Sequence, residues 1–309
     1  MALLDRVACA PISWGICEVP GWGSQLTVDR VLSEMSDLGF THTELGAIGW
    51  LPTDVDQLTR VLSPHGLSLL GGFVPLVLHD PARTDDTLQA AHDAARLLAG
   101  AGAEYFVTAA VSGTGDWRHI ELDKSQWAHL YEMLAEVDRL VSGYGLRQVA
   151  HPHVDTVIES DADVGRLLDN TAVEICLDTA HLSIGGTDVL ALIRTHGHRV
   201  GLVHLKDLDL RVAEQLSAGR LSLMQAVQQG VFPPLGRGEL PISEIVSSLE
   251  RSGRDKWYVL EQDRALTDGD PSASAGPKLD VCESIEFLRS LDPAPAGPAG
   301  GTRTTTQEG

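Results

Sequence analysis

Short apolar runs alternate along the chain with longer stretches in which apolar residues recur every three or four positions. The short runs read as strands at 7–12, 42–45, 67–73, 105–110, 147–151, 173–178, 201–206 and 257–261. The longer stretches read as amphipathic helices, most clearly at 28–38, 88–98, 127–141 and 242–249. Gly39, Gly66 and Gly145 fall where helices should stop, and Thr27 precedes the first of them. Regular strand–helix alternation predicts a parallel sheet with right-handed crossovers. Eight such strands within roughly 280 residues predict a closed (β/α)₈ barrel rather than an open doubly wound sheet. The turn after the first strand reads PISWGICEVPGWG and lacks the GxGxxG fingerprint that a doubly wound dinucleotide fold places there.

Two segments depart from this rhythm. Residues 210–236 exceed an ordinary βα loop and read as helical over 212–229, which predicts a structured insertion at the barrel mouth. From residue 292 the chain is Pro, Ala, Gly and Thr without an apolar period, which predicts a disordered tail beyond a barrel domain of 1–291.

Charge then narrows the partners. The 309 residues carry 43 acidic and 23 basic side chains, a net charge of −20, with only four lysines. Binding nucleic acid requires neutralising phosphates with Lys and Arg, so this balance excludes it as a partner, and it also excludes a polybasic membrane patch. No apolar run is long enough to span a membrane. Cys9, Cys17, Cys176 and Cys282 are scattered without paired spacing, and the N-terminal MALLDRVACAPISWG holds no stretch suited to a signal sequence. A reduced, cytoplasmic protein is expected.

In such a barrel, chemistry collects at the C-terminal ends of the strands. Strand five ends VAHPHVDT, offering His151 and His153, and strand six ends ICLDTAHLS, offering Asp178 and His181. Strand seven ends LVHLKDLD, offering His204, Lys206 and Asp207, and strand eight ends YVLEQD, offering Glu261, Gln262 and Asp263. Strand two contributes Glu44. Singly, each of these is an ordinary cap or core residue. On four consecutive strands they point to a metal centre whose imidazole and carboxylate donors suit Mn²⁺, Co²⁺, Fe²⁺ or Zn²⁺; a shell of oxygens alone would suit Mg²⁺.

The combination APISWG, AHPHVDT, CLDTAHL, VHLKD and LEQD resembles the xylose-isomerase-like barrel superfamily of sugar isomerases, epimerases and lyases, and within it most the inosose dehydratases. The likeness spans nearly the whole chain before the tail and includes the stretch HLKDLDLRVAEQLSAGRLSLMQAVQQGVFPPLGRGELPI, similar to the dehydratase insertion. It implies a divalent metal, Mn²⁺ or Co²⁺ before Mg²⁺, Fe²⁺ or Zn²⁺, held by His151, Asp178, His204 and Glu261. His153 stays open as the strand-five ligand because of the HPH run. The resemblance implies further that His181 faces substrate and that Trp14 is either an aromatic wall or a packing residue. Glu44 holds a substrate hydroxyl or a barrel neighbour, and Lys206, beside Asp207, is a catalytic or a charge-paired structural group. Asp207 and Gln262 complete the substrate-binding set. The implied partner is a small polyol or keto-cyclitol, and a homo-oligomer is compatible because these barrels often form dimers or tetramers.

Departures from the family pattern bear on the reaction. Ketohexose epimerases of this superfamily end strand five in a glutamate that faces the strand-eight glutamate across the reacting carbon, whereas this chain has His151. That weakens two-sided proton exchange and leaves abstraction on one side followed by loss of hydroxyl. Against this, the third strand reads LLGGFVP without the lysine of at least some dehydratases, and the fourth ends VTAAVSG without their polar SEQ-type ending. The expected activity is dehydration of an inosose-like ketone, with Glu261, His153, His181 or Lys206 as acid or base. The alternative is isomerisation or epimerisation through the same enediolate. A non-catalytic cyclitol-binding module is a third reading. A DNA-processing nuclease on the same barrel needs a basic groove that this charge excludes.

Overall fold

The period-two alternation of the apolar runs decides where everything else goes. In a computed structural model, which describes residues 2–291 except 114, 116, 254 and 272–275, the runs become eight parallel strands. They are β1 (Val7–Cys9), β2 (His42–Glu44), β3 (Ser68–Leu76), β4 (Tyr105–Ala110), β5 (Arg147–Ala150), β6 (Glu174–Asp178), β7 (Val200–Leu205) and β8 (Trp257–Leu260). Each pairs with its sequence neighbours, and β8 closes on β1 through Val7–Tyr258, Ala8–Val259 and Cys9–Leu260. The result is the (β/α)₈ barrel that the alternation predicts. The proposed tail from residue 292 lies outside the described residues.

The helices are α1 (Val28–Asp37), α2 (Val55–Leu62), α3 (Thr84–Gly100), α4 (Lys124–Ser142), α5 (Asp161–Asn170), α6 (Thr179–Ile184), α7 (Val189–His196), α8 (Leu210–Ser217), α9 (Leu223–Gln228), α10 (Ile242–Arg251) and α11 (Pro277–Leu291). Short polar side chains cap several of them, such as Asp54, Asp188 and Asp209. Asp123 and Ser160 form reciprocal capping boxes with Gln126 and Asp163. Their apolar stripes bury Val31, Leu98, Leu130, Val137, Leu167 and Leu249 against the outer faces of the strands. Among the described residues no helix is long and apolar enough to cross a membrane.

Inside the barrel, one layer consists of Val149 (β5), Cys176 (β6), Leu202 (β7) and Val259 (β8) with Ala8, Leu70 and Val107. Two residues further along each of those four chains stand His151, Asp178, His204 and Glu261. Because side chains two apart share a face, the apolar layer dictates that these four also point into the lumen, one step nearer its mouth.

The insertion after β7 folds as two helices rather than one over 212–229. Gly219 takes a left-handed conformation (φ 67°), and Ser222 caps a new helix by accepting from the Gln225 amide. Its apolar side, with Val227, Val231 and Phe232, packs on Trp22, Val154 and Ala180. Asp207 fastens its base: Oδ1 accepts from the amides of Leu208 (2.9 Å) and Leu240 (3.1 Å), and Oδ2 from Gly236 (2.8 Å) and Gly238 (3.0 Å). A Cβ at Gly238 would collide with this carboxylate.

Asp207→Ala leaves buried amides without an acceptor and should lower stability by about 3 kcal/mol. The expected reading is a lower urea midpoint at unchanged slope. Gly238→Ala should shift the midpoint in the same direction, and unchanged midpoints in both would refute the clasp.

Candidate metal centre and active site

His151, Asp178, His204 and Glu261 each bring one ligand atom to a common point, all within 4.8 Å of one another. The residues fit a cation on an observation independent of spacing. Both ring nitrogens of His151, Asp178 Oδ2, His204 Nδ1 and Glu261 Oε2 are buried and have no hydrogen-bond partner in the protein. Buried polar atoms are ordinarily satisfied. These five, left with ion-pair contacts between His204 and Glu261 and between Lys206 and Asp178 in place of formed hydrogen bonds, make a set that a cation would satisfy. Asp178 Oδ1 is already used, accepting from the amides of Ala180 (2.9 Å) and His181 (2.8 Å) at the start of α6, which fixes Oδ2 towards the cluster. Imidazole and carboxylate donors together suit a divalent transition ion.

The surroundings orient these groups. His204 Nε2 lies 3.1 Å from Glu44 Oε1, so Glu44 holds the ring and leaves Nδ1 towards Glu261. Lys206 is fully buried, with Nζ 2.8 Å from Asp263, 3.2 Å from Glu261 and 3.4 Å from Asp178. Burial alone would discharge an amine, yet these three carboxylates hold Lys206 firmly protonated. Burial likewise opposes a charge on His204, but Cys176, Glu261 and Glu44 outweigh it and hold its proton well above the ordinary histidine range. Burial pushes the Asp263 carboxyl up to about 6, with Glu261 and Asp178 adding to the rise and Lys206 opposing it. Glu261 stays ionised well below the usual carboxylate range: burial resists, and His204 and Lys206 prevail.

One step further along, the His153 and His181 rings lie against each other, centroids 3.7 Å apart and tilted by 34°. Burial and the Lys206 charge push His153 down to about 4, so both rings cannot be charged together and His153 is neutral near pH 7. His153 Nδ1 donates to its neighbour's carbonyl on Val154 at 2.5 Å, which leaves Nε2 with its lone pair. Lys206 Nζ stands 3.1 Å from His181 Nε2, so that nitrogen accepts and the His181 proton sits on Nδ1.

Several residues named from sequence have other places. Trp14 is fully buried and donates its indole N–H to Glu34 at 2.8 Å, so it presents no face to a ligand. Asp207 is saturated by the insertion's amides, and Gln262 donates to the Phe232 carbonyl at 3.0 Å. Glu44 meets His204, a barrel neighbour. The aromatic surroundings that sequence reading missed come from elsewhere. Phe73 on β3 lies 5.6 Å from the His151 ring, Trp117 after β4 lies 5.7 Å from His153, and Phe232 of the insertion lies 5.7 Å from His181. An aromatic residue directly after Gly71 and Gly72 was the trace of Phe73 in the sequence.

Comparison with known proteins agrees with this fold. The family described as Xylose isomerase-like TIM barrel matches residues 32–291, and the chain belongs to it. It is 29% identical over 271 residues to an inosose dehydratase of Geobacillus kaustophilus (strain HTA426), covering 84% of this chain and 87% of that one. It is 30% identical over 306 residues to the rhizopine catabolism protein MocC of Rhizobium meliloti, covering 92% and 93%. Among solved structures, the IolI protein with a bound zinc atom superposes with a TM-score of 0.67 at 13% identity, covering 93% of this chain and 97% of that one. With relatives named inosose dehydratase along most of its length, the chain is an enzyme.

Removing the Glu44 carboxylate as Glu44→Gln should weaken divalent-ion affinity by about tenfold to a hundredfold without abolishing it. Because a cation must displace the His204 proton, affinity should rise with pH across the neutral range, read by calorimetry in buffers of different ionisation enthalpy. Affinity that is flat with pH would contradict the ligand set.

Proposed function

We propose that the chain is a cytoplasmic, divalent-metal-dependent hydro-lyase that removes the proton α to the carbonyl of a keto-cyclitol and eliminates water from the adjacent carbon. The observation that carries this reading is the set of five orphaned buried ligand atoms lying directly beneath a neutral histidine at the barrel mouth. The relatives named inosose dehydratase supply the substrate class. His151, Asp178, His204 and Glu261 would hold the ion, which supplies Lewis-acid polarisation of a ketone oxygen and stabilisation of enediolate charge.

The chain's own groups then divide the proton work. His153 Nε2, with its lone pair free, is placed to take the α-proton, and the C–H electron pair passes into the ring C–C bond. The departing hydroxyl needs a proton to leave as water. His181 Nδ1, buried and unpartnered, is placed to give that proton while Lys206 Nζ passes one to Nε2, so the ring stays neutral. The proton taken up at His153 returns to Lys206 through solvent. Lys206 keeps its charge through Asp263, Glu261 and Asp178. A neutral base with a separate proton donor beside it favours elimination over the two-faced exchange of an epimerase, in keeping with a histidine rather than a glutamate after β5. Three carboxylates around one ammonium repel anionic substrates, so a neutral polyol is the expected ligand.

The deciding experiment incubates metal-reconstituted enzyme with inososes and ketohexoses and follows the products by NMR. Loss of water with deuterium exchange at the α-carbon is expected; isomer formation without water loss would overturn the reading. Asp178→Ala and Glu261→Ala should lose metal and activity together. His153→Gln should lower kcat by about 10²–10⁴ while retaining the metal. Since the carboxylate that helps hold Lys206 forms only above about pH 6, kcat/KM should fall below that pH. Asp263→Asn should remove this acidic limb.

A further inference from the structure

One lumen position beneath the proposed centre is chemically out of keeping with its layer. Val149, Leu202 and Val259 fill that layer with hydrocarbon, but β6 contributes Cys176, fully buried and two residues before Asp178. The Cys176 sulfur joins His151 and His204 in a second group of three ligand atoms within 4.8 Å of one another. A lone buried thiol is ordinarily a small apolar filler. What sets this one apart is His151. An ion in the four-residue set uses one of its ring nitrogens, yet both are buried, in a residue only 2% exposed, and neither has a partner. A metal-bound histidine normally gives its second nitrogen to a carboxylate or carbonyl, as His204 does to Glu44.

We propose that His151, Cys176 and His204 form a second cation position, deeper in the lumen, that takes soft divalent ions such as Cd²⁺ and Zn²⁺ through a thiolate. Harder ions such as Mn²⁺ keep to the position bounded by Asp178 and Glu261. Thiolate and imidazole donors select the softer ions, and carboxylates the harder ones. Coordination replaces the S–H bond with a sulfur–metal bond, and the proton passes to solvent. The two positions share His204, which has only Nδ1 left beyond its contact with Glu44, so filling the deeper one withdraws that ligand from the upper one. Soft ions should therefore compete with Mn²⁺ for the protein. The inference rests on the cation-binding reading of the four-residue cluster but not on the reaction assigned to it.

The test adds Cd²⁺ or Co²⁺ to metal-free, full-length protein under reducing, anaerobic conditions and records the near-ultraviolet thiolate-to-metal charge-transfer band. Manganese binding is followed in parallel by the electron paramagnetic resonance signal of the free ion. A saturable band is expected in the parent protein, lost in Cys176→Ser and in Cys176→Ala, with Mn²⁺ binding unchanged in whichever variant keeps its thermal unfolding midpoint. Asp178→Asn should weaken Mn²⁺ binding and retain the band. A band that persists in both Cys176 variants, or no band at all alongside intact Mn²⁺ binding, overturns the sulfur position alone. Failure to bind either Mn²⁺ or the soft ions overturns the four-residue cluster as well.

Discussion

Polar atoms crowded into the mouth of a closed barrel, with too few partners of their own, are the constraint on which the rest of this structure depends. Orphaned donors and acceptors in a dry lumen cost several kcal/mol between them, and a fold tolerates that only where another group satisfies them. Burial pushes the Asp178 carboxyl up and Lys206 opposes that rise, while His204 and Lys206 hold Glu261 ionised against burial. Lys206 is itself kept charged by Asp178, Asp263 and Glu261. The arrangement is mutual. Removing any one member leaves a buried charge uncompensated, so the four strand ends are fixed as a unit.

The insertion after β7 completes what the strands begin. Its base is held by Asp207 and its far side by Gln228, whose amide donates to the carbonyls of Gly21 and Trp22. Between those anchors Phe232 is set against His181 and 5.0 Å from the Lys206 ammonium. A cation beneath an aromatic face is favoured once it is desolvated, so the insertion stabilises the same charge that orients His181. The mouth is thus polar at its floor and aromatic along its walls, the pattern expected where a ring with hydroxyls on its edge and C–H groups on its face is to be held.

How much of this was legible depended on which interactions are local. The strand positions could be read because each apolar run is short and flanked by glycine or polar residues, and a barrel follows from their number and order. The candidate ligands could be named because polar residues end four consecutive strands and the family resemblance points to His151, Asp178, His204 and Glu261. The HPH run left His151 and His153, which alternation puts on one face, undivided. Trp14 was another matter. Its position after β1 suits an aromatic wall, but α1 places Glu34 within reach of its indole nitrogen, and that bond turns the ring into the core. Phe73, Trp117 and Phe232 come from three separate loops or strands and share no spacing that a linear pattern could reveal.

The sequence by itself therefore determined the architecture and the level at which chemistry collects, since both follow from periodicities of two and of about 3.6 residues that act over a few neighbours. Tertiary structure alone decided the division of labour among the polar groups. Glu44 orients His204, Asp207 ties down the insertion, and Lys206 serves three carboxylates at once, because each of these roles depends on which atoms meet across the closed barrel. Closure converts separate strand ends into one electrostatic system, and which nitrogen or oxygen is left without a partner is a property of that system rather than of any segment within it.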